Sequence, residues 1–232
     1  MALRMRFDVS NDRNGFWWIV VGIVMTIAAV VGREYLPQRS LDLLAPGRPL
    51  YISNDPSRPW ASRVRWVDER AHHFQCHYTA QDNFSEEPCS VTFVLSRDGE
   101  ATHGIDLQRF DSLHLDVVYQ GASRFVRVAI RNFDSRFSRA DDGNSARMQS
   151  ASLRVRDVAA PLTMSLSELT VPEWWIAQHD LPREFNTASL DNAVSVTIDL
   201  PERLKAPQEL RIRGLSLQGQ WIQRETLYFA IL

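Results

Sequence analysis

Phe125-Val-Arg-Val-Ala-Ile-Arg-Asn132 is the stretch that decides the fold. Val126, Val128 and Ile130 alternate with Arg127, Ala129 and Arg131. An extended backbone puts the aliphatic groups on one face and two guanidinium groups on the other, whereas a helix scatters them round its circumference. The same period of two recurs outward in both directions. Leu113, Leu115 and Val117 alternate with His114 and Asp116, and Leu153 and Val155 with Arg154 and Arg156. Val194, Val196 and Ile198 alternate with Ser195, Thr197 and Asp199, while Leu210, Ile212, Leu215 and Leu217 continue the pattern either side of Gly214. Shorter candidates lie at 64–68, 74–79 and 91–95. Six to nine such strands, separated by Gly, Pro, Asp and Asn turns, predict an all-β, antiparallel β-sandwich. No amphipathic helix runs between successive strands, which counts against a parallel α/β sheet. The one helical piece predicted is 173–178, within the stretch 166–179, with Pro172 in its first turn.

The 232 residues, 44% hydrophobic and 23% charged, suit one sizeable domain with attachments and exclude wholesale disorder, a fibre or a multi-span channel. A net charge of −2 supplies no basic field, so no nucleic-acid partner is expected. Ahead of the sandwich, residues 15–32 carry no charge, are bracketed by Arg13 and Arg33, and place Trp17 and Trp18 at one end. At about 1.5 Å per residue this run reaches roughly 27 Å, close to the thickness of a bilayer core. It reads as an uncleaved transmembrane helix with lipid as partner. A cleaved signal peptide is the alternative, but the run is long for one and no small-residue cleavage site follows Gly32. The organisation expected is a cytoplasmic tail over 1–14, the span over 15–32, and a linker over 33–59 rich in Pro37, Pro46, Pro49, Pro56 and Pro59. The sandwich follows over 60–222. The apolar end, 223–232, is the start of a second membrane helix or a last edge strand.

Arginines stand on both sides of the span, so charge does not orient it. Cys76 and Cys89 flank a polar turn-forming stretch. A bridge there contributes about 3 kcal/mol in the chain-entropy model and persists only in an oxidising compartment. The alternative is two buried thiols. The bridged reading puts the N-terminus inside and the large domain outside.

His72, His73, Cys76 and His77 suggest a metal cluster by composition. On a strand, however, His73 and His77 lie about 13 Å apart and Cys76 faces the other way, so no metal site is expected. Asp141-Asp142-Gly143-Asn144 reads as a turn before it reads as a calcium loop. There is no nucleophile elbow, phosphate-cradling glycine loop or zinc-protease motif, so no catalytic residue and no cofactor is assigned. Trp60, Trp66, Trp174, Trp175 and Trp221 are a heavy aromatic load for one sandwich. Aromatic planes beside Arg127 and Arg131 suit sugar-like ligands, unless the tryptophans plug the core and the arginines pair with surface acids.

The run 119–134, followed by Ser138, Asp141, Asp142 and Ser145, resembles a known family. The likeness continues at 166–175, Leu181-Pro182, Phe185, 191–194 and 219–222. These segments are similar to the extracytoplasmic sensor-like domains that precede GGDEF-type diguanylate cyclases and some histidine kinases in Gram-negative bacteria. The resemblance implies a galactose-binding-like jelly roll, a Cys76–Cys89 disulfide, and a periplasmic domain held at the bacterial inner membrane. It also implies a small-molecule ligand, for instance a sugar-like one, or a periplasmic partner protein, a homodimer, and a cyclic-di-GMP signalling output for which this chain is the input module. A membrane-tethered carbohydrate-binding module without output is the alternative. Arg131, Asn132, Trp174 and Trp175 are the ligand-binding residues expected, with Asp142 beside them. Two departures stand out: Ala146-Arg147-Met148-Gln149 replaces the family's lysine–aromatic–asparagine run, and Glu173 replaces an aspartate.

Overall fold

The computed structural model describes residues 12–33, 38–52, 63–77, 89–96, 102–202 and 204–220. They form two units. In the first, helix α1 runs Asp12–Arg33. Its side chains are described without a break only over 16–28, where Phe16, Trp17, Trp18, Ile19 and Ile23 are exposed. Among the described residues no helix is long and apolar enough to cross a membrane. The expected segment 223–232, most of the tail 1–14, Trp60 and Trp221 lie outside the described residues.

The second unit, 39–219, is a sandwich of two antiparallel sheets. In chain order its described strands are β1 (Gln38–Asp42), β2 (Leu50–Ile52), β3 (Arg63–Asp68), β4 (His73–His77), β5 (Cys89–Val94) and β6 (Ser112–Gln120). After these come β7 (Phe125–Asn132), β8 (Arg147–Arg154), β9 (Leu162–Ser165), β10 (Ala193–Leu200) and β11 (Gln208–Gln220). The first sheet has the order β3-β4-β11-β6-β9, with β1 also paired to β11; the second is β2-β5-β10-β7-β8. Strands β4 to β11 thus divide between the sheets as β4-β11-β6-β9 and β5-β10-β7-β8. That is the order of two interlocked Greek keys, a jelly roll.

The period-two sets become the inner faces. Leu113, Leu115, Val117, Leu210, Ile212, Leu215 and Leu217 of the first sheet share one buried core with Val91, Phe93, Val126, Val128, Ile130, Val196 and Ile198 of the second. Within β11 the apolar positions change from even to odd numbers. The register slips between Ile212 and Gly214, so a bulge restores the inward face at Leu215. Cys76 and Cys89 are bonded, each fully buried, with Cα atoms 6.1 Å apart. Because β4 and β5 belong to different sheets, the bridge staples one sheet to the other, and the free-thiol alternative falls.

Several boundaries differ from expectation. The stretch 33–59 is not only a linker: it supplies β1 and β2, and Leu43 in it is fully buried, its N–H donating to the Leu215 carbonyl at 2.9 Å. Pro46 and Pro49, its described prolines, sit outside these strands, where no ladder bond is lost. Strand β8 begins at Arg147 and stops at Arg154, so Val155 and Arg156 belong to the following turn. Helix α2 spans Glu173–His179 with Pro172 at its N-cap rather than in its first turn, and Asp180 closes it in the left-handed conformation, φ 46°. Segment 74–79 is strand only to His77, the rest being outside the described residues.

Candidate functional site

The outward side of the second sheet is built from short polar side chains. Strand register places Tyr51, Thr92, Thr197, Ala129 and Ser150 in one cross-strand row. Ser90, Asp199, Arg127 and Ser152 form the next row, and Val94, Ser195, Arg131 and Met148 the row on the other side. The floor is recessed: Ser90, Thr92, Ser195 and Ser150 are all buried, while Tyr51 at one side is 56% exposed. Thr92 and Thr197 share a hydroxyl–hydroxyl bond of 2.9 Å. Arg127 Nε donates to both Asp199 oxygens, at 3.0 and 2.9 Å. Burial pushes the Asp199 carboxyl up to about 6, against the pull of the Arg127 and Arg131 guanidinium groups. The side chains of this pair are 18% and 3% exposed, so it is largely shielded from water.

Helix α2 lies over the β8 side of this face. Trp175, Ile176 and His179 recur at helical spacing on one side of the helix. Trp175 and Ile176 pack with Ala129, Met148 and Val171, and the Trp175 and His179 rings lie 4.4 Å apart. Val171 is brought in by a bridge between Thr170 and Ser150, which runs the chain beside the outer edge of β8. Burial lowers the His179 pKa.

The five expected ligand residues divide. Arg131, Asp142 and Trp175 meet at one loop: Arg131 Nη1 and Trp175 Nε1 both donate to the Asn144 carbonyl, at 3.3 and 3.4 Å, and Asp142 Oδ1 accepts from the Asn144 N–H at 3.0 Å. Arg131 Nη2 also reaches Asn144 Oδ1 at 3.0 Å. These three residues hold a loop, and the Asp142–Ser145 turn is the turn its sequence suggested. Trp175 is 1% exposed and serves as packing. Asn132 is equally buried on the inner face, donating to Asp191 and accepting from the Asn192 N–H. Trp174, 51% exposed, is the one of the five with a free ring face. Of the other tryptophans, Trp66 packs edge-on against Phe74 in the core, centroids 6.2 Å apart.

Arg147, which stands in the departing run 146–149, closes the same end of the sandwich from inside. It is buried, donates to Asp134 at 3.0 Å and to the Thr187 carbonyl at 3.1 Å, and has the Phe137 and Phe185 rings within 6 Å. Hydrogen bonding to Arg136, then the nearby charges of Arg136 and Arg147, hold the Asp134 carboxyl below its usual range. The three histidines of the 72–77 run do not converge: His73 faces outward to Glu209 at 3.2 Å, and Cys76 is spent in the disulfide. Among the described residues no group of acids, histidines and cysteines could hold a metal ion.

The residues that sequence reasoning passed over are Tyr51, Thr92, Thr197 and Asp199. For two of them the signal was present: Thr197 and Asp199 are the polar positions of the 194–199 alternation, as Arg127 is of the 126–131 one.

No protein-family model matches the chain, and no curated protein matches its sequence. Solved structures with a similar path include the family 11 carbohydrate-binding module of a cellulosomal cellulase of Clostridium thermocellum. It is 11% identical over 82% of this chain and 98% of that one, with a TM-score of 0.47. A family 11 module from Clostridium thermocellum in complex with a β-1,3-1,4-mixed-linked tetrasaccharide is 12% identical over 81% of this chain and 99% of that one, with a TM-score of 0.48.

Proposed function

We propose that this jelly roll is a non-catalytic binding module for a sugar-like ligand, and that the ligand lies on the outward face of the second sheet. The observation that carries this reading is the floor itself. Small hydroxyl-bearing side chains leave room for a ring, a buried Arg127–Asp199 pair offers fixed donors and acceptors, and Tyr51 stands exposed at one side.

Two further elements belong to the proposal. The uncharged run 15–32 anchors the module in the bacterial inner membrane, with the sandwich in the periplasm. The exposed apolar side chains of α1 and a Cys76–Cys89 bridge that needs an oxidising compartment support this. In keeping with the resemblance of 119–134 to sensor domains, occupancy is reported to a diguanylate-cyclase-type output, possible only if ligand binds two arrangements of the protein with different affinity. The direct test is a glycan array probed with the full chain in detergent, beside Tyr51→Ala and Ser152→Trp. Saturable binding that both substitutions weaken by roughly tenfold or more bears the reading out. An array with no bound glycan, or variants that bind like the parent, ends it.

A further inference from the structure

The recessed face does not end at the Arg127–Asp199 row. One residue pair further along the β7–β8 ladder, Phe125 lies opposite Arg154, two positions from Arg127 and Ser152 and therefore on the same side of the sheet. There the chain forms a shallow pocket of about 340 Å³ lined by Arg124, Phe125, Arg154, Val155 and Arg156. Three arginines line it beside one ring and one aliphatic side chain. Two of them have acidic partners, and each uses its Nε: Arg124 toward Glu202 at 2.8 Å, and Arg156 toward Asp157 at 3.5 Å. Among the described residues the terminal nitrogens of both carry no hydrogen bond. Arg154 has no side-chain partner among the described residues, so the pocket keeps an excess positive charge on a chain whose net charge is −2.

The pocket is also held in shape. The Ser123 N–H donates to the Tyr119 hydroxyl at 2.7 Å, and that hydroxyl donates to Gln208 at 2.9 Å. Glu202 accepts from the Ser123 hydroxyl at 3.1 Å and from the Arg124 N–H at 2.5 Å. Gly121 sits at φ +155°, and a Cβ there would come within 2.4 Å of the Tyr119 hydroxyl. A turn fixed this way presents Arg124 over the Phe125 ring, 5.7 Å from its centroid. Arginines gathered at one pocket favour the entry of an anion, and guanidinium forks match oxyanions two nitrogens at a time.

We infer that this pocket takes the oxyanion of an acidic saccharide — a uronate carboxylate, or a sulfate or phosphate ester — with the sugar ring resting on Phe125 and Val155. The module's ligand is then an acidic glycan whose charged residue occupies the end of the face. The saccharide half of this inference rests on the reading of the second sheet as a sugar-binding face. The oxyanion half rests on the pocket alone.

The test is calorimetric titration of the full chain in detergent with trigalacturonate, neutral cellotriose and inorganic phosphate. It compares the parent with Arg154→Ala, Arg154→Lys and Ser152→Trp, the fold of each checked by its melt. Trigalacturonate is expected to bind more tightly than cellotriose, to weaken as salt rises, and to lose roughly tenfold or more in Arg154→Ala with a smaller loss in Arg154→Lys. Phosphate is expected to compete with it. If trigalacturonate and cellotriose bind equally, or if Arg154→Ala leaves trigalacturonate unchanged, the inference falls while the sugar-binding face stands. If Arg154→Ala abolishes trigalacturonate and phosphate binding alike but Ser152→Trp affects neither, the oxyanion site stands and the saccharide half is overturned.

Discussion

The two outward faces of the sandwich are made from different side chains. On the first sheet the outward row is long and charged: Arg65 donates to Gln75 at 2.6 Å, Gln75 to Glu209 at 2.9 Å, and Arg213 to Asp116 at 2.6 Å. Those residues are exposed or half-exposed, a solvated surface whose pairs are each worth little. On the second sheet the central outward positions are mostly serine, threonine and alanine round one buried ion pair, walled at one side by α2. Stability alone does not call for the second arrangement, because a buried pair is costly to desolvate and often no better than apolar packing. The contrast separates a face that meets only water from a face shaped to receive something.

The sharpest way to break this contrast is to remove the wall. Trp175→Ala empties a buried site that anchors α2 and is expected to cost about 3–5 kcal/mol in urea unfolding. Trp174→Ala, one residue away on the exposed side of the helix, is expected to change stability by about 0.5 kcal/mol or less. Equal losses would mean that α2 is not held to the sheet through Trp175. Next in size, Arg127→Ala leaves Asp199 buried and unpaired, with an expected loss of about 3 kcal/mol at pH 7. Arg213→Ala on the other face is expected to cost below about 1 kcal/mol. Comparable values for the two arginines would erase the difference between the faces.

The pH dependence sharpens the same point. Asp199 is held at about 6 in the fold against 3.8 for the ordinary group, so between these values the folded protein binds a proton that the unfolded chain has released. Its contribution to stability is therefore greatest below about pH 4, declines as the pH rises to about 6, and is flat above. Asp199→Asn is expected to remove that decline from the pH profile of the melting temperature. A profile identical to the parent's would place the titration elsewhere. The smallest effect expected is that of Arg65→Ala, about 0.5 kcal/mol or less and no change in ligand binding, since its partner Gln75 keeps Glu209.

Much of the architecture was legible where one face is apolar and the other is not. The alternation at 113–117, 126–131, 194–199 and 210–217 passes directly into β6, β7, β10 and β11. The first half of β8 was silent because both its sides are covered: Arg147 and Gln149 point inward beneath the 183–191 segment, and Met148 and Ser150 outward beneath α2 and Thr170. Strands β1 and β2 are three to five residues long among prolines, and β9 has four, too few for a period to show. At the site, the polar alternates Arg127, Thr197 and Asp199 could be read off their own strands. Their meeting with Thr92 and Tyr51 could not, because it depends on register between strands far apart in the chain. Trp174 and Trp175 looked alike in sequence; the turn of α2 by about 100° per residue sends one to solvent and the other into the sheet.

The most direct measurement is the affinity of the full chain for the tightest-binding glycan of the array, set beside Ser152→Trp on one face and Arg213→Ala on the other. The account predicts that filling the second sheet's floor weakens binding by roughly tenfold or more while the first-sheet variant binds like the parent. Loss through Arg213→Ala with Ser152→Trp unchanged would put the ligand on the other side of the sandwich and contradict it.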